Sequence, residues 1–275
     1  MSISSPLAAP SYLMPLVLHK LVKGNPTSWE DVNQEVFTKL VDFVRPFCSV
    51  IGIDNPQVNG WSLTFDDGNL SDYDIAFPIL GERGVRATFF LIVDKIGEDG
   101  YLNWAQISEM NRHGMNFGSH SLTHQSMVKL SQNMMMNEFV QSKHLLEDKL
   151  GIEITSFSYP FGEYTSEINK FCFDAGYQFA FTSKHGVVNE KSALIPRNSI
   201  NSSMQWDDVV AILNLKMHTR LRWVLEDNAI KVIKNIIGRE RYTYFRDKVL
   251  NEYCLLYTSD AADDLLCVDL GGRRI

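Results

Sequence analysis

The sequence of 275 residues predicts an α/β domain with a parallel sheet that closes into a barrel. Strand signals and helix signals alternate along the chain, which is the pattern of βαβ units. About six or seven such units occur before residue 200, and this number suits a barrel better than an open sheet of six strands. No glycine-rich phosphate loop follows the first predicted strand, which counts against a dinucleotide-binding fold.

The predicted elements follow one another with short gaps. Strands are predicted from short apolar or β-branched runs at residues 13–19, 61–65, 85–92, 115–120, 154–160, 177–183 and 193–197. Helices are predicted from apolar residues that recur every three to four positions at residues 29–47, 72–84, 103–114, 131–151 and 166–176. Gly84 is expected to end the second of these helices, and Ser131 to cap the start of the fourth.

We expect three parts along the chain. Residues 1–204 form the predicted barrel, and residues 205–253 form a basic, amphipathic helical segment. That segment is expected to cap the barrel; the alternative is a surface for a partner or a membrane. Residues 254–275 back-translate into DNA that resembles a sequencing-library adapter. They are therefore expected to lie outside the fold, with the natural chain cut short near Tyr253.

Composition narrows the class of protein. A formal net charge of −7 lacks the excess of basic residues that is typical of nucleic-acid-binding proteins. No apolar run reaches the roughly 18 residues of a transmembrane segment. Residues 1–21 lack the basic start of a signal peptide, which predicts a cytoplasmic location. The four cysteines follow no metal-site or disulfide spacing, and the oligomeric state stays open.

Polar residues gather where predicted strands end. SLTFDDGNL places Asp66 and Asp67 directly after a strand, and Gly68 allows a tight turn there. HSLTH places His120 and His124 four residues apart, on one side of the chain if they form a helical turn. The carboxyl ends of parallel strands meet at one edge of a sheet or barrel, where the active sites of such folds lie.

Two histidines and one carboxylate are a typical catalytic zinc set with a fourth position open for water. Adjacent residues of an extended strand point in opposite directions, so one aspartate could bind a metal while the other serves as a base. Each short pattern alone is weak evidence, because Asp-Asp-Gly is common in solvated turns and HxxxH is common on surfaces. Their joint occurrence at successive strand ends favours a metal site.

With these residues the sequence resembles the polysaccharide deacetylases, carbohydrate esterase family 4. TFDDG (64–68) matches the first motif of the family and SHSLTH (119–124) matches the second. FSYPFG (157–162) resembles a tyrosine-bearing variant of the third. The resemblance covers about residues 13–200. It implies a distorted (β/α)7 barrel and metal-dependent N-deacetylation of an acetylated amino sugar.

The resemblance also implies roles for the motif residues. Asp66 is the expected general base, and Asp67, His120 and His124 are the expected metal ligands. The expected metal is zinc, with cobalt and nickel as alternatives. From the third motif, Tyr159 and Phe161 are expected to flank the sugar as apolar walls, and the Phe161 N–H to bind the oxyanion.

Two departures from the family pattern bear on the site. Many members carry arginine in the third motif where this chain has Ser158, and Arg197 is expected to supply that charge. The family's C-terminal L-x-x-H motif has its counterpart in LVLH (16–19), which ends in His19; LKMH (215–218) has the same spacing, but His218 is expected on the surface. Some members are permuted in this way, poly-N-acetylglucosamine deacetylases among them. His19 is therefore the expected catalytic acid; the alternatives are a core histidine at that position and an acid from an absent C-terminal part.

The expected substrate is an N-acetylated glycan or glycan precursor. One alternative is a catalytically inert carbohydrate-binding relative, which would be expected to lack a ligand or the base; all four of these residues are present. The other is a hydrolase of a different C–N bond in a small amide. The remaining histidines are expected on the surface: His113, His144, His185 and His218.

Overall fold

A computed structural model describes residues 10–51, 59–188, 192–238 and 241. The strands in this part of the chain are β1 (Leu13–Leu18), β2 (Lys20–Val22), β3 (Asp31–Asn33), β4 (Gly60–Phe65), β5 (Thr88–Leu91), β6 (Asn116–Ser119), β7 (Ser156–Ser158), β8 (Phe179–Phe181), β9 (Leu194–Ile195) and β10 (Asn198–Ser199). The α-helices are α1 (Gln34–Val44), α2 (Phe77–Arg83), α3 (Trp104–Arg112), α4 (Gln132–Leu150), α5 (Ser166–Asp174), α6 (Trp206–Leu213) and α7 (Met217–Ile237).

Eight strands form one parallel sheet in the order β10-β1-β4-β5-β6-β7-β8-β9. β1 lies between β10 and β4, with Leu18 beside Phe65. Both β1 and β4 are buried along their whole length, as expected of parallel strands covered on both faces. The predicted α/β class with a barrel-type parallel sheet is confirmed.

A short connection joins the two ends of this sheet. β9 pairs with β8 and β10 pairs with β1, while Pro196 and Arg197 separate β9 from β10. The Asn198 side-chain amide donates hydrogen bonds to the carbonyl oxygens of Pro15 and Gly186. The connection therefore holds Arg197 between the first and last edges of the sheet.

The first helix begins later than the sequence predicts. Helix α1 begins at Gln34, whereas the prediction began it at residue 29. The Asn33 side chain accepts a hydrogen bond from the backbone N–H of Glu35 and caps the helix. The residues just before it form β3, which pairs with β2, so residues 23–30 form a loop between two short strands.

The C-terminal helices pack against the sheet domain on one side. On α7, Thr219 and Trp223 are buried. The other side of this helix exposes large apolar side chains: Met217, Leu221, Val224, Leu225, Val232 and Ile236. The predicted boundary at residue 204 stays a prediction.

Some predictions concern residues beyond this description. Residues 254–275, the suggested adapter-derived tail, lie outside the described residues, as do residues 1–9. The adapter interpretation and the cytoplasmic location therefore stay predictions. Within the described ranges, no helix has both the length and the apolar character needed to cross a membrane.

Candidate active site

The turn after β4 brings two adjacent carboxylates to the carboxyl end of the sheet. The Asp66 N–H donates to the carbonyl oxygen of Leu18 at 3.0 Å. Asp67 then adopts a left-handed conformation with φ 77°, and Gly68 follows with φ 72°. A Cβ at Gly68 would lie 2.9 Å from Leu91 Cδ2, so both backbone and packing favour glycine. The expectation that an extended strand separates the two carboxylates is wrong, because Asp67 has left the extended conformation.

The two histidines lie in a loop after β6, and the helical turn that their spacing suggested is not formed. Ser121 has φ 70° and His124 has φ 60°, values that a right-handed helix does not allow. The Ser121 hydroxyl accepts a hydrogen bond from the His124 N–H at 2.9 Å. This compact loop brings the rings of His120 and His124 to a centroid separation of 4.9 Å.

A buried glutamate on α4 holds the histidine loop. Glu138 accepts hydrogen bonds from the backbone N–H groups of Leu122 and Thr123, both at 2.9 Å, and from Thr123 Oγ1 at 2.6 Å. These bonds satisfy donors that a sheet or helix would otherwise satisfy. Glu138 is not among the residues predicted from the sequence, although an acid between Met135 and Phe139 on the buried face of a helix is a usable signal.

Asp67, His120 and His124 form a group whose geometry fits one metal ion. Their candidate ligand atoms all lie within 4.8 Å of one another. Asp67 Oδ1 is 3.4 Å from His120 Nε2 and 3.5 Å from His124 Nε2. Ligands about 2.1 Å from a shared tetrahedral ion lie roughly 3.4 Å apart, so these separations suit it. His120 Nδ1 lies 2.8 Å from the Ser158 carbonyl oxygen, which leaves Nε2 as the ring atom that could bind a metal.

Asp66 lies beside this group but has a different partner. Arg197 donates to both carboxylate oxygens, from Nη1 to Oδ1 at 2.6 Å and from Nη2 to Oδ2 at 2.7 Å. The Ser158 hydroxyl accepts from Arg197 Nη2 at 2.8 Å and donates to Asp66 Oδ2 at 3.1 Å. The exposed fractions of Asp66 and Arg197 are 3% and 1%, so water does not screen this pair.

Burial and charge set the protonation states. Burial alone would raise the pKa of Asp66, but Arg197 and His120 outweigh it and hold the pKa of that carboxyl below its usual range. Burial also opposes ionisation of Asp67, yet its hydrogen bond with His120 and the nearby histidines lower its pKa. Burial and the charge of His120 lower the pKa of His124 to about 4. Both carboxylates are therefore ionised at neutral pH, and His124 is a neutral imidazole able to bind a metal.

These groups open into one cavity of about 440 Å³. Its lining includes all eight residues that the sequence analysis singled out: His19, Asp66, Asp67, His120, His124, Tyr159, Phe161 and Arg197. They come from the carboxyl ends of several strands, which the parallel sheet brings to one edge.

The outer residues of the lining differ in exposure. His19 is partly exposed, and its ring centroid lies 6.0 Å from that of Trp29. Phe161 is 40% exposed, and its ring centroid lies 4.8 Å from that of His124. Tyr159 is 1% exposed, and its hydroxyl donates to a side chain of α5. Tyr159 thus lines the cavity as a buried ring, and its role as an apolar wall for the sugar stays a prediction.

Two further aromatic residues of the lining were not foreseen. Trp29 was expected inside a helix and His185 on the surface, but both line the cavity. The His185 ring stacks on Trp223 of α7 with a centroid separation of 5.3 Å and an interplanar angle of 10°. Loops place both residues, and no periodic pattern in the sequence marks such positions.

Comparison with known proteins identifies related sequences. The family model for polysaccharide deacetylase matches residues 54–180. The putative polysaccharide deacetylase YxkH of Bacillus subtilis is 31% identical over 141 residues, which cover 51% of this chain and 50% of the relative. The poly-beta-1,6-N-acetyl-D-glucosamine N-deacetylase of Staphylococcus epidermidis is 28% identical over 147 residues, covering 48% of this chain and 50% of the relative. The chain thus spans about half the length of these two relatives.

Solved structures share the fold. A Streptococcus pyogenes deacetylase, PplD in complex with acetate, has a TM-score of 0.67 at 21% identity, covering 74% of this chain and 99% of that chain. IcaB from Ammonifex degensii has a TM-score of 0.64 at 24% identity, covering 75% and 98%. Residues 54–180, a little under half of the chain, are thus similar to the polysaccharide deacetylases.

Proposed function

We propose that this chain is a metal-dependent hydrolase that removes N-acetyl groups from an amino-sugar glycan or glycan precursor. The observation that carries the proposal is a buried, ionised Asp66 beside a metal-type group, Asp67 with His120 and His124, in one cavity. A hydrolytic site of this kind needs a base next to the position where water is activated, and this arrangement supplies one.

Asp67, His120 and His124 would hold the metal ion. We expect zinc, because two imidazoles and a carboxylate at tetrahedral spacing suit it, although cobalt and nickel accept the same ligands. When bound, the ion would supply Lewis acidity toward an acetyl carbonyl and toward water. Glu138 would keep the histidine loop in place for binding.

Asp66 would accept the proton of the attacking water. Its Oδ2 lies 3.9 Å from His120 Nε2, so the base stands beside the ligand group. Arg197 and Ser158 fix its orientation and keep it ionised. A carboxylate with a lowered pKa is a weak base, so we attribute its effect to position rather than to basicity.

His19 would donate the proton to the departing amine. An amine is a poor leaving group until it is protonated, so an acid must reach the nitrogen from another side of the site. His19 follows β1, the strand beside the one that leads to Asp66, and it lines the same cavity. Histidine is the side chain that most often serves as a general acid or base, which suits this role.

The substrate class rests on the lining and on the relatives. Phe161 offers an exposed ring beside the ligand group, a surface that suits the apolar face of a sugar. The Staphylococcus relative is by name a deacetylase of poly-beta-1,6-N-acetyl-D-glucosamine. The cavity is also large enough for a small amide, so hydrolysis of another C–N bond is the second candidate.

The test is acetate release by the purified chain from N-acetylglucosamine oligomers, from poly-β-1,6-N-acetylglucosamine and from small acetylated amines. We expect release from a glycan, loss of release with a chelator, and recovery on addition of zinc. Release from the small amines alone would favour the second candidate. Glycan binding without release under any metal would favour an inert relative.

A further inference from the structure

The loop between β2 and β3 lies at the cavity and takes no part in the mechanism above. Ser28, Trp29 and Glu30 of this loop are part of the cavity lining. Trp29 brings the largest side chain of the three, and it is partly exposed. A large aromatic side chain on a cavity wall, outside the reacting groups, is a typical surface for recognition of a ligand.

Hydrogen bonds hold the loop that carries Trp29. Asp31 is buried, and its Oδ2 accepts from the Thr27 N–H at 2.7 Å, from Thr27 Oγ1 at 3.1 Å and from the Ser28 N–H at 2.9 Å. The Trp29 carbonyl oxygen accepts from the Ser202 N–H at 3.1 Å. These contacts tie the loop on both sides of the indole, so binding a ligand there costs little ordering of the chain.

The two aromatic walls of the cavity stand apart. Trp29 lies beside His19, which follows β1, whereas Phe161 lies beside His124, which follows β6. In the sheet, β4 and β5 separate β1 from β6. The two aromatic side chains therefore reach the cavity from strand ends that are not neighbours in the sheet.

We propose that Trp29 is the platform of a second sugar subsite, which holds the pyranose next to the one that loses its acetyl group. The inference rests on the proposed function, because it assumes an oligomeric glycan substrate. A pyranose has an apolar C–H face and polar edges. The indole offers a rigid apolar surface for the face, and Ser28 and Glu30 stand beside it for the hydroxyl groups.

A second role for Trp29 makes a different prediction. If the indole served only to position the His19 ring, its removal would lower the turnover of every N-acetylated substrate equally, whatever its length. A subsite instead affects substrates with a second sugar and acts mainly through KM. Substrate length therefore separates the two roles.

The experiment compares zinc-loaded wild type, Trp29→Ala, Trp29→Phe and, as a control, Asn25→Ala at the exposed tip of the same loop. Each is assayed with N-acetylglucosamine tetramer and with the N-acetylglucosamine monomer, which carries the same amide bond but no second sugar. For Trp29→Ala we expect the ratio of tetramer kcat/KM to monomer kcat/KM to fall at least about tenfold, mainly through KM. Trp29→Phe should recover most of the ratio, and Asn25→Ala should keep it. An equal fall for both substrates, or an unchanged ratio, would overturn the subsite.

Tetramer binding to Asp66→Asn, with and without Trp29→Ala, separates this inference from the proposed function. Calorimetry should show that Asp66→Asn binds the tetramer and that the double variant Asp66→Asn/Trp29→Ala does not. If wild type releases no acetate but binding still depends on Trp29, the subsite stands and the deacetylase proposal fails. If wild type releases acetate but tetramer binding does not depend on Trp29, the deacetylase proposal stands and the subsite fails. Absence of binding in both proteins would also overturn the subsite.

Discussion

The floor of the cavity, formed by Asp66 and Arg197, is buried, and four hydrogen bonds join this pair and Ser158. Its rim, which contains His19, Trp29 and Phe161, is at least partly exposed; the rings of His19 and Trp29 contact each other, and the Phe161 ring contacts His124. The charged groups of the floor are thus buried away from water, whereas the aromatic side chains of the rim face the solvent, from which a substrate would enter. Changes to the floor should therefore alter stability and pH dependence, whereas changes to the rim should alter turnover at nearly constant stability.

The largest loss of stability is expected from Arg197→Met, a substitution in the floor of the cavity. Removing one partner of a buried ion pair leaves an uncompensated charge, so the free energy of unfolding should fall by about 3–5 kcal/mol near neutral pH. Urea unfolding measures this loss. The double variant Asp66→Asn/Arg197→Met removes both charges and should recover part of the lost stability. A loss below about 1 kcal/mol in the single variant would contradict the assigned pairing.

The same variant has a signed pH effect. In the wild type, the lowered pKa of Asp66 adds stability above the ordinary value of 3.8, and that stability is lost as the pH falls through the lowered pKa. Without Arg197, burial should raise the pKa of Asp66. The acid limb of the pH–rate profile should then move to higher pH in Arg197→Met. An unchanged acid limb would show that Arg197 does not control Asp66.

His19→Ala tests whether the rim also takes part in the chemistry. Loss of a general acid should lower turnover of an N-acetylated glycan by about a hundredfold or more. Because His19 is partly exposed, the free energy of unfolding should change by less than about 1 kcal/mol, and metal content should stay the same. Full turnover in His19→Ala would show that another residue is the general acid.

Glu138→Gln tests the support behind the metal-type group. Losing the charge of this buried acceptor weakens bonds to the histidine loop, so the free energy of unfolding should fall by about 1–2 kcal/mol. Metal affinity should fall by about tenfold, since outer contacts orient ligands. Asp148→Asn, an exposed acid on the same helix, is the control and should change neither quantity. Matching effects in the two variants would refute a specific role for Glu138.

The smallest expected effect is an increase in the free energy of unfolding, caused by a change at Asp72. This carboxyl is fully buried, and burial together with the nearby charges of Asp67 and Asp66 raises its pKa well above 3.8. Its ionisation therefore opposes folding, and the stability lost grows as pH rises from 3.8 toward the raised pKa. Asp72→Asn should stabilise the protein, with a gain that grows by up to about 1.4 kcal/mol between pH 5 and pH 6. Urea unfolding at the two values checks this; a gain independent of pH would contradict it.

The sequence predicts the strands and the inner site well, and the loops poorly. Asp66, Asp67, His120 and His124 were recognised because each pair follows a strand, and parallel strands bring their ends together. The predicted helical turn at the histidines is wrong, because Glu138 stabilises a non-helical loop through contacts 15 and 16 residues away. Local patterns do not encode contacts of this kind.

Trp29 shows the same limit on the rim. Its surroundings have helical periodicity, but the buried Asp31 takes the local N–H groups into a loop, and Asn33 starts the helix later. Arg197 was singled out from its place at a late strand end. Its bidentate contact with Asp66 depends on how the short connection closes the sheet, which the sequence alone does not determine.

The most direct test of the central claim is the metal content of Asp66→Asn and Asp67→Asn, measured side by side by elemental analysis after loading with zinc and dialysis. We predict about one zinc per chain in Asp66→Asn, with acetate release at least about a hundredfold below wild type. Asp67→Asn should lose most of the metal together with the activity. Metal lost from Asp66→Asn and kept in Asp67→Asn would contradict the account and exchange the roles of the two aspartates.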